Sequence, residues 1–212
     1  MLASASLLTM LIIVQSPVTH AQSSNWYAGY EYLGHDGSPA QFGVLGSIYT
    51  INSQVSGANW YAQWVSVILS YRLGYWVQVG YDKGYDTSYK LQFYVEKFDL
   101  NGHGIWYKPN VVSAGTTYTY YIQFGSSNYW TAAVTGQFTQ NLSTNPTTPT
   151  DYSAQSEMTT SSINIGGTHF SSLQYGATLH DWYSWDKHVT VVSSPYSVNP
   201  ISNYEFTAGG GG

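Results

Sequence analysis

The chain has 212 residues, a formal net charge of −5, no cysteine, and only 8% charged residues beside 21 tyrosines and 8 tryptophans. This length is enough for one domain that buries a core without disulfides, and the lack of cysteine excludes thiol catalysis, cysteine-ligated zinc and iron–sulfur clusters. Lysine and arginine together number six, too few for a basic binding surface, so we expect no nucleic-acid partner. A surface poor in titratable groups gains little charge in acid and therefore suits an acidic exterior.

The first residues are typical of a secretory signal peptide. An apolar run from Leu2 to Val14 is too short for a comfortable membrane span, and Thr19-His20-Ala21 is a suitable cleavage site before Gln22. No lysine or arginine precedes the run, so an uncleaved N-terminal anchor is the alternative. We expect residues 1–21 to be a signal peptide, and the protein to be secreted, extracellular or on the cell surface.

From Asn25 onward, short aromatic and β-branched runs alternate with turn sequences rich in Gly, Ser, Asn and Asp. This pattern predicts strands at 26–33, 42–51, 59–70, 73–82, 89–100, 104–107, 116–124, 129–138, 168–175, 179–184, 188–194 and 202–207. No segment keeps a helical period over more than two turns. The spacing predicts an all-β protein, a two-sheet antiparallel β-sandwich of the jelly-roll or concanavalin-like kind.

The longest segment without a strand pattern runs from Gln140 to Ser156 and is rich in Thr, Pro, Asn and Ser. The strands predicted after it are too few to hold a core alone. We therefore expect one β-sandwich domain at 22–207 with a long loop at 140–156, which includes the glycosylation sequon Asn141-Leu142-Ser143. The final residues, 208–212, are Ala and four Gly and predict a flexible tail.

An amide interrupts the fourth predicted strand. Gln78 shares a strand face with Trp76, and on the next predicted strand Glu96 shares a face with Tyr94 and Phe98. If the two strands pair antiparallel, Gln78 and Glu96 form a polar pair in an aromatic-lined groove. A buried amide without a partner costs on the order of 1–3 kcal/mol. Gln78 therefore either bonds to Glu96 or a tyrosine hydroxyl, or donates to a ligand.

The order of these motifs resembles the eqolisin family of acid endopeptidases, also called glutamic peptidases. The segment "WVQVGYD" is similar to the family's "LQTGVD", with Gln78 in the place of the catalytic glutamine. The segment "FYVEKFD" is similar to "AWYEWYP", with Glu96 on its glutamate and Tyr94 on its tryptophan. Segments such as "NWYAGY" and "THFSSLQYG" extend the likeness over most of residues 25–207. The resemblance implies peptide hydrolysis in acid without a cofactor, and substrate binding by the aromatic groove of Trp76, Tyr94, Glu96 and Phe98.

The family's catalytic glutamate lies in a run like "AEWIVED", and the corresponding segment here, "AQSEMTTSS", has one carboxylate. One alignment places Glu157 on the structural glutamate and Ser161 on the catalytic one. A frame shifted by four residues places Glu157 on the catalytic position. In that alignment Glu157 is the general base that activates water, and Gln78 donates its amide N–H to the developing oxyanion.

Three functions are compatible with the sequence. The first is an acid endopeptidase acting on a peptide or protein. The second is an inactive relative that binds a peptide or glycan in the same groove, and the third is a surface or filament subunit that assembles through exposed strand edges. A cluster of His180, Asp181, Asp186 and His188 matches no specific metal motif, so we expect no metal.

Overall fold

The computed structural model describes residues 25–33, 42–125, 129–145, 148–178 and 180–212, apart from the side chains of 109 and 110. The predicted signal peptide, residues 1–21, lies outside these ranges. Within the described ranges, no helix has the length and apolar character needed to cross a membrane.

The described chain forms strands that pair antiparallel throughout. In chain order they are β1 (Trp26–Leu33), β2 (Gly43–Tyr49), β3 (Trp60–Ser70), β4 (Tyr75–Gly84), β5 (Gln92–Asp99), β6 (Gly102–Val111), β7 (Thr117–Phe124), β8 (Trp130–Val134), β9 (Phe138–Leu142), β10 (Asp151–Met158), β11 (Thr168–Gly176), β12 (Trp182–Ser184), β13 (Val189–Val192), β14 (Ser197–Ser202) and β15 (Glu205–Gly209).

Two sheets result. The first has seven strands in the order β13-β1-β10-β3-β4-β5-β6, and the second has the order β14-β15-β11-β2-β7-β8-β9, with β12 paired to β11. The fold is an all-β two-sheet antiparallel sandwich, which confirms the predicted fold class.

The core lies between the sheets because each strand alternates its side chains. On β4, Val77, Val79 and Tyr81 point inward and are fully buried, and they belong to one cluster with Ile122 and Phe170 of the second sheet. Full burial of such a side chain contributes about 1.5–3 kcal/mol. The outer face of the first sheet, opposite the core, carries the polar residues of β4 and of its neighbouring strands.

The segment predicted as a long loop, 140–156, is mostly strand. It contains the end of β9 and most of β10, so the connection between them is only 143–150. β10 lies inside the first sheet, paired with β1 on one side and β3 on the other. Its sequence lacks β-branched residues, and pairing on both sides stabilises it instead.

The C-terminal residues also continue a strand. Ala208 and Gly209 lie in β15 and pair with β14, and the carbonyl of Gly210 accepts a hydrogen bond of 3.1 Å from the Ile165 amide. The segment expected to be a flexible tail therefore begins within the second sheet. β14 lies mostly in the interval between the strands predicted at 188–194 and 202–207, and it pairs with β15 at the sheet edge.

Candidate functional site

The outer face of the first sheet carries a polar and aromatic set of side chains at the centre of the sheet. We call it the Gln78 face and define it by Tyr27, Trp64, Gln78, Tyr94, Glu96 and Glu157. It extends from β1 through β10, β3 and β4 to β5.

Backbone registry brings Gln78 opposite Glu96, as the sequence predicts. The Gln78 amide is buried and donates from Nε2 to Glu96 Oε2 at 2.6 Å and to the Tyr94 hydroxyl at 3.1 Å. The centroids of the Trp76 and Phe98 rings lie 5.3 Å apart, and both rings are beside this pair. The predicted residues on β4 and β5 therefore form one cluster, in which the amide already has structural partners.

Gly80 explains how this cluster is built. A Cβ at Gly80 would lie 2.0 Å from the Gln63 carbonyl oxygen and 2.8 Å from Trp64 Cβ, so only glycine permits this approach of β4 to β3. Trp64 and Tyr94 lie opposite Gly80 on its two neighbouring strands and belong to one buried aromatic cluster. The glycine thus leaves room for two large side chains on the Gln78 face.

Glu157 projects from β10 onto the same face. Its Oε1 accepts hydrogen bonds from Asn25 Nδ2 at 2.7 Å and from the Tyr27 hydroxyl at 3.0 Å, and its Oε2 accepts one from Trp64 Nε1 at 3.3 Å. Burial raises the pKa of Glu157, and the negative charge of Glu96 adds to this, while the three donors oppose it. The carboxylate is therefore held in place and is a stronger base than an ordinary glutamate.

The Gln78 and Glu157 side chains are linked through two aromatic residues. Glu157 bonds to Trp64, Trp64 packs on Tyr94, and the Tyr94 hydroxyl accepts from Gln78. Backbone registry places Glu157 opposite Ala62, and Gln78 lies further along β4. Among the described hydrogen bonds, none joins Glu157 directly to Gln78.

The alternative catalytic position, Ser161, lies in the turn after β10. β10 ends at Met158, so Ser161 is outside the paired part of the sheet. If Ser161 takes the catalytic position, that position has no carboxylate and lies outside the sheet. If Glu157 takes it, the catalytic position has a carboxylate on the Gln78 face.

Asp82 has no role predicted from the sequence, yet it lies on the same strand face as Gln78. Asp82 is 8% exposed and is opposite Ala62, in the same row as Glu157. Burial raises its pKa to about 7, a hydrogen bond from Tyr107 lowers it, and the charges of Asp86 and Glu96 raise it. The signal in the sequence was its spacing of two from Gly80 and four from Gln78, which places it on the same strand face.

The His and Asp cluster near the C-terminus forms no ligand set. Among the described residues, no three His, Cys, Asp or Glu side chains gather closely enough to hold a metal ion. Asp186 and His188 line a surface pocket of about 670 Å³ with Asn203 and Tyr204, and His188 Nδ1 lies 3.1 Å from Asn203 Oδ1. This histidine therefore has a structural partner on the chain.

Comparison with known proteins gives a likeness in structure. No family model matches the sequence, and no curated protein matches it. The fold is similar to scytalido-glutamic peptidase with a peptide-based transition state analog, with a TM-score of 0.61 and 11% identity over 87% of this chain and 97% of that one. It is also similar to the same peptidase with a transition state analog inhibitor, with a TM-score of 0.61 and 12% identity over the same shares of both chains. SCP-B, a member of the eqolisin family in complex with the tripeptide Ala-Ile-His, matches with a TM-score of 0.57 and 11% identity, again over 87% and 97% of the two chains. At these identities the likeness establishes that this chain shares the fold of glutamic peptidases.

Proposed function

We propose that the Gln78 face binds peptides and hydrolyses them in acid, with Glu157 as general base and Gln78 as oxyanion donor. The observation that carries this proposal is a partly buried carboxylate, held by three donors, on the same sheet face as a buried side-chain amide. The similar solved structures hold a peptide-based inhibitor and a tripeptide, which supports a peptide as the ligand.

Glu157 has the features of a general base. It takes a proton from a water molecule as the water oxygen attacks the peptide carbonyl carbon. The protonated Glu157 then gives this proton to the leaving nitrogen as the C–N bond breaks. Its raised pKa makes the ionised carboxylate a stronger proton acceptor but leaves less of it ionised as the pH falls, and its three donors keep it in one orientation during both steps.

Gln78 has one strong and one weaker hydrogen bond, and this difference suits an oxyanion donor. The bond to the Glu96 carboxylate at 2.6 Å is charge-assisted and anchors the amide, whereas the bond to the Tyr94 hydroxyl at 3.1 Å joins neutral groups. A substrate carbonyl oxygen replaces Tyr94 as the acceptor of the second N–H. Such a donor contributes about 3 kcal/mol to transition-state stabilisation, and an amide does so without titrating.

The second candidate function is binding of a peptide without cleavage. It is favoured by the fact that both partners of the Gln78 amide are on the chain itself and that no described hydrogen bond connects Gln78 with Glu157. In that function the same face binds an extended peptide, with Trp76 and Phe98 as the apolar contact surface.

Digestion of an unfolded protein substrate at acid pH by residues 22–212 tests the first function. We expect Glu157→Gln and Gln78→Ala to lower the cleavage rate by about 100-fold or more, with folding retained. Glu205→Gln on the second sheet removes a comparable carboxylate away from the site and should cleave at the rate of the unchanged protein. Lack of cleavage by the unchanged protein over a broad pH range, together with calorimetric binding of peptides, would favour the binding function instead.

A further inference from the structure

One carboxylate connects the Gln78 amide to an exposed histidine. We propose that Glu96 is the positioning residue for Gln78, and that protonation of His103 holds Glu96 in the state that accepts from the amide in acid. The consequence for catalysis rests on the proposed function, whereas the coupling between His103 and Gln78 does not.

The two oxygens of Glu96 have separate partners. Oε2 accepts from Gln78 Nε2 at 2.6 Å, and Oε1 lies 2.6 Å from His103 Nε2. The Glu96 side chain is 17% exposed and the His103 side chain 54%, so the histidine is the more solvent-exposed member of the pair. A change of charge on the imidazole therefore acts on the amide through one intervening group.

The β5–β6 hairpin fixes the histidine in this position. Gly102 takes a φ of 108° at the start of β6, a conformation that favours glycine, and His103 follows it directly opposite Phe98. The Phe98 and His103 rings meet edge to face with centroids 6.1 Å apart. The imidazole is thus turned back along β5 toward Glu96 rather than left free in solvent.

The other charged groups near Glu96 are acidic. Asp82 on β4 and Glu157 on β10 both interact electrostatically with it, and each has its pKa raised in part by its charge. Lys97, the next residue on β5, binds Asp99 and the Ser143 carbonyl and not Glu96. Among the described residues, His103 is the basic side chain in hydrogen-bond contact with Glu96.

Protonation of His103 has a definite effect on this arrangement. A protonated imidazole donates a charge-assisted hydrogen bond to Glu96 Oε1, and the ionised carboxylate keeps Oε2 as an acceptor for the amide. Glu96 then continues to accept from Gln78 in acid. If Glu96 itself took up a proton, its carbonyl oxygen would still accept from the amide, but this hydrogen bond would no longer be charge-assisted and would hold Gln78 less firmly.

Side-chain amide NMR of Gln78 as a function of pH tests the coupling without any substrate. We expect the Gln78 Nε2 resonances to shift with the same midpoint as the His103 ring carbons. In His103→Gln this step should disappear, and in His103→Lys the resonances should stay at their acid position through that range. His169→Gln, which removes a similar histidine 2.9 Å from Glu205 on the second sheet, should leave the Gln78 titration unchanged.

The proposal is wrong if the Gln78 resonances do not shift as His103 is protonated. It is also wrong if they shift by the same amount in His103→Gln. Kinetics add a second readout if the protein cleaves peptides. Glu96→Gln should then lower kcat about tenfold with KM within about twofold, because it acts through Gln78 and not on ground-state binding. Absence of cleavage activity would refute only the proposed function. The NMR experiment tests the coupling between His103 and Gln78 independently of cleavage.

Discussion

At the scale of single residues, Asp82 has an unusual environment on the Gln78 face. One of its carboxyl oxygens, Oδ1, is buried with no hydrogen-bond partner among the described residues, and Tyr107 bonds to the carboxyl group. A buried carboxyl with an unsatisfied oxygen is more stable protonated than ionised. Asp82 therefore favours a folded state in acid.

We predict that Asp82→Asn flattens the pH dependence of stability. The pKa of Asp82 is about 7 in the folded protein against an ordinary value of 3.8, so the folded state binds the proton more tightly than the unfolded state does. The contribution of Asp82 to the free energy of unfolding is fully present below about pH 4 and falls by up to about 4 kcal/mol as the pH rises to about 7. Denaturant unfolding at both ends of this range measures it. The control is Asp181→Asn, an exposed carboxylate whose charge is not among those acting on Asp82, and it should keep the decline; a wild-type protein without any decline contradicts the prediction.

At the scale of secondary structure elements, the pairing of β3 with β4 decides whether the Gln78 face forms. The two strands are paired from Trp60 and Gly84 to Ser70 and Tyr75, and Gly80 is the point of close approach beside Trp64 and Tyr94. A displacement of β4 here moves Trp64 and Tyr94, which together connect Glu157 to Gln78. The geometry of the site therefore depends on one glycine.

We predict that Gly80→Ala destabilises the protein by at least about 2 kcal/mol, because the new Cβ meets backbone that cannot move without separating the strands. The matched control is Gly209→Ala on β15, where the nearest atom, Ser197 Oγ, lies 3.9 Å from the new Cβ. That variant should stay within about 0.5 kcal/mol of the unchanged protein. Equal midpoints of the two variants in denaturant unfolding would show that the β3–β4 approach is not tight.

At the scale of the whole molecule, a buried polar network crosses between the two sheets. Gln63 on β3 donates to the Thr168 hydroxyl on β11 at 2.5 Å and accepts from the Tyr81 hydroxyl at 2.6 Å. The Tyr81 hydroxyl also accepts from the Ile51 amide at 2.9 Å. This network fixes the relation of the sheets at a point where apolar packing alone is not directional.

We predict that Tyr81→Phe lowers the free energy of unfolding by about 1–3 kcal/mol, because it leaves the Gln63 oxygen and the Ile51 amide buried without a partner. Tyr30→Phe removes the same atom from another fully buried tyrosine, whose hydroxyl has no partner among the described residues. It should be neutral or slightly stabilising. The difference between the two variants in calorimetry or denaturant unfolding isolates the network, and a difference near zero would refute it.

Local sequence patterns were enough to predict the fold class and the meeting of Gln78 with Glu96, which is half of the candidate site. Alternation with period two and the turn residues between runs are local properties, so they predict a β-sandwich without knowledge of which strands pair. The meeting of Gln78 with Glu96 was also predictable, because β4 and β5 follow one another along the chain and pair across a short turn.

The other half of the candidate site, around Glu157, depends on contacts between strands that are distant in sequence. β10 has no β-branched residue and reads as loop, yet it lies between β1 and β3 and brings Glu157 to Trp64, 93 residues away in sequence. The burial of Asp82 is likewise invisible in a local pattern. The physical reason is that hydrogen bonding between distant strands can stabilise a segment whose own residues have weak strand propensity. In the same way, the protonation of a carboxyl depends on its burial, and burial depends on all the residues packed around it.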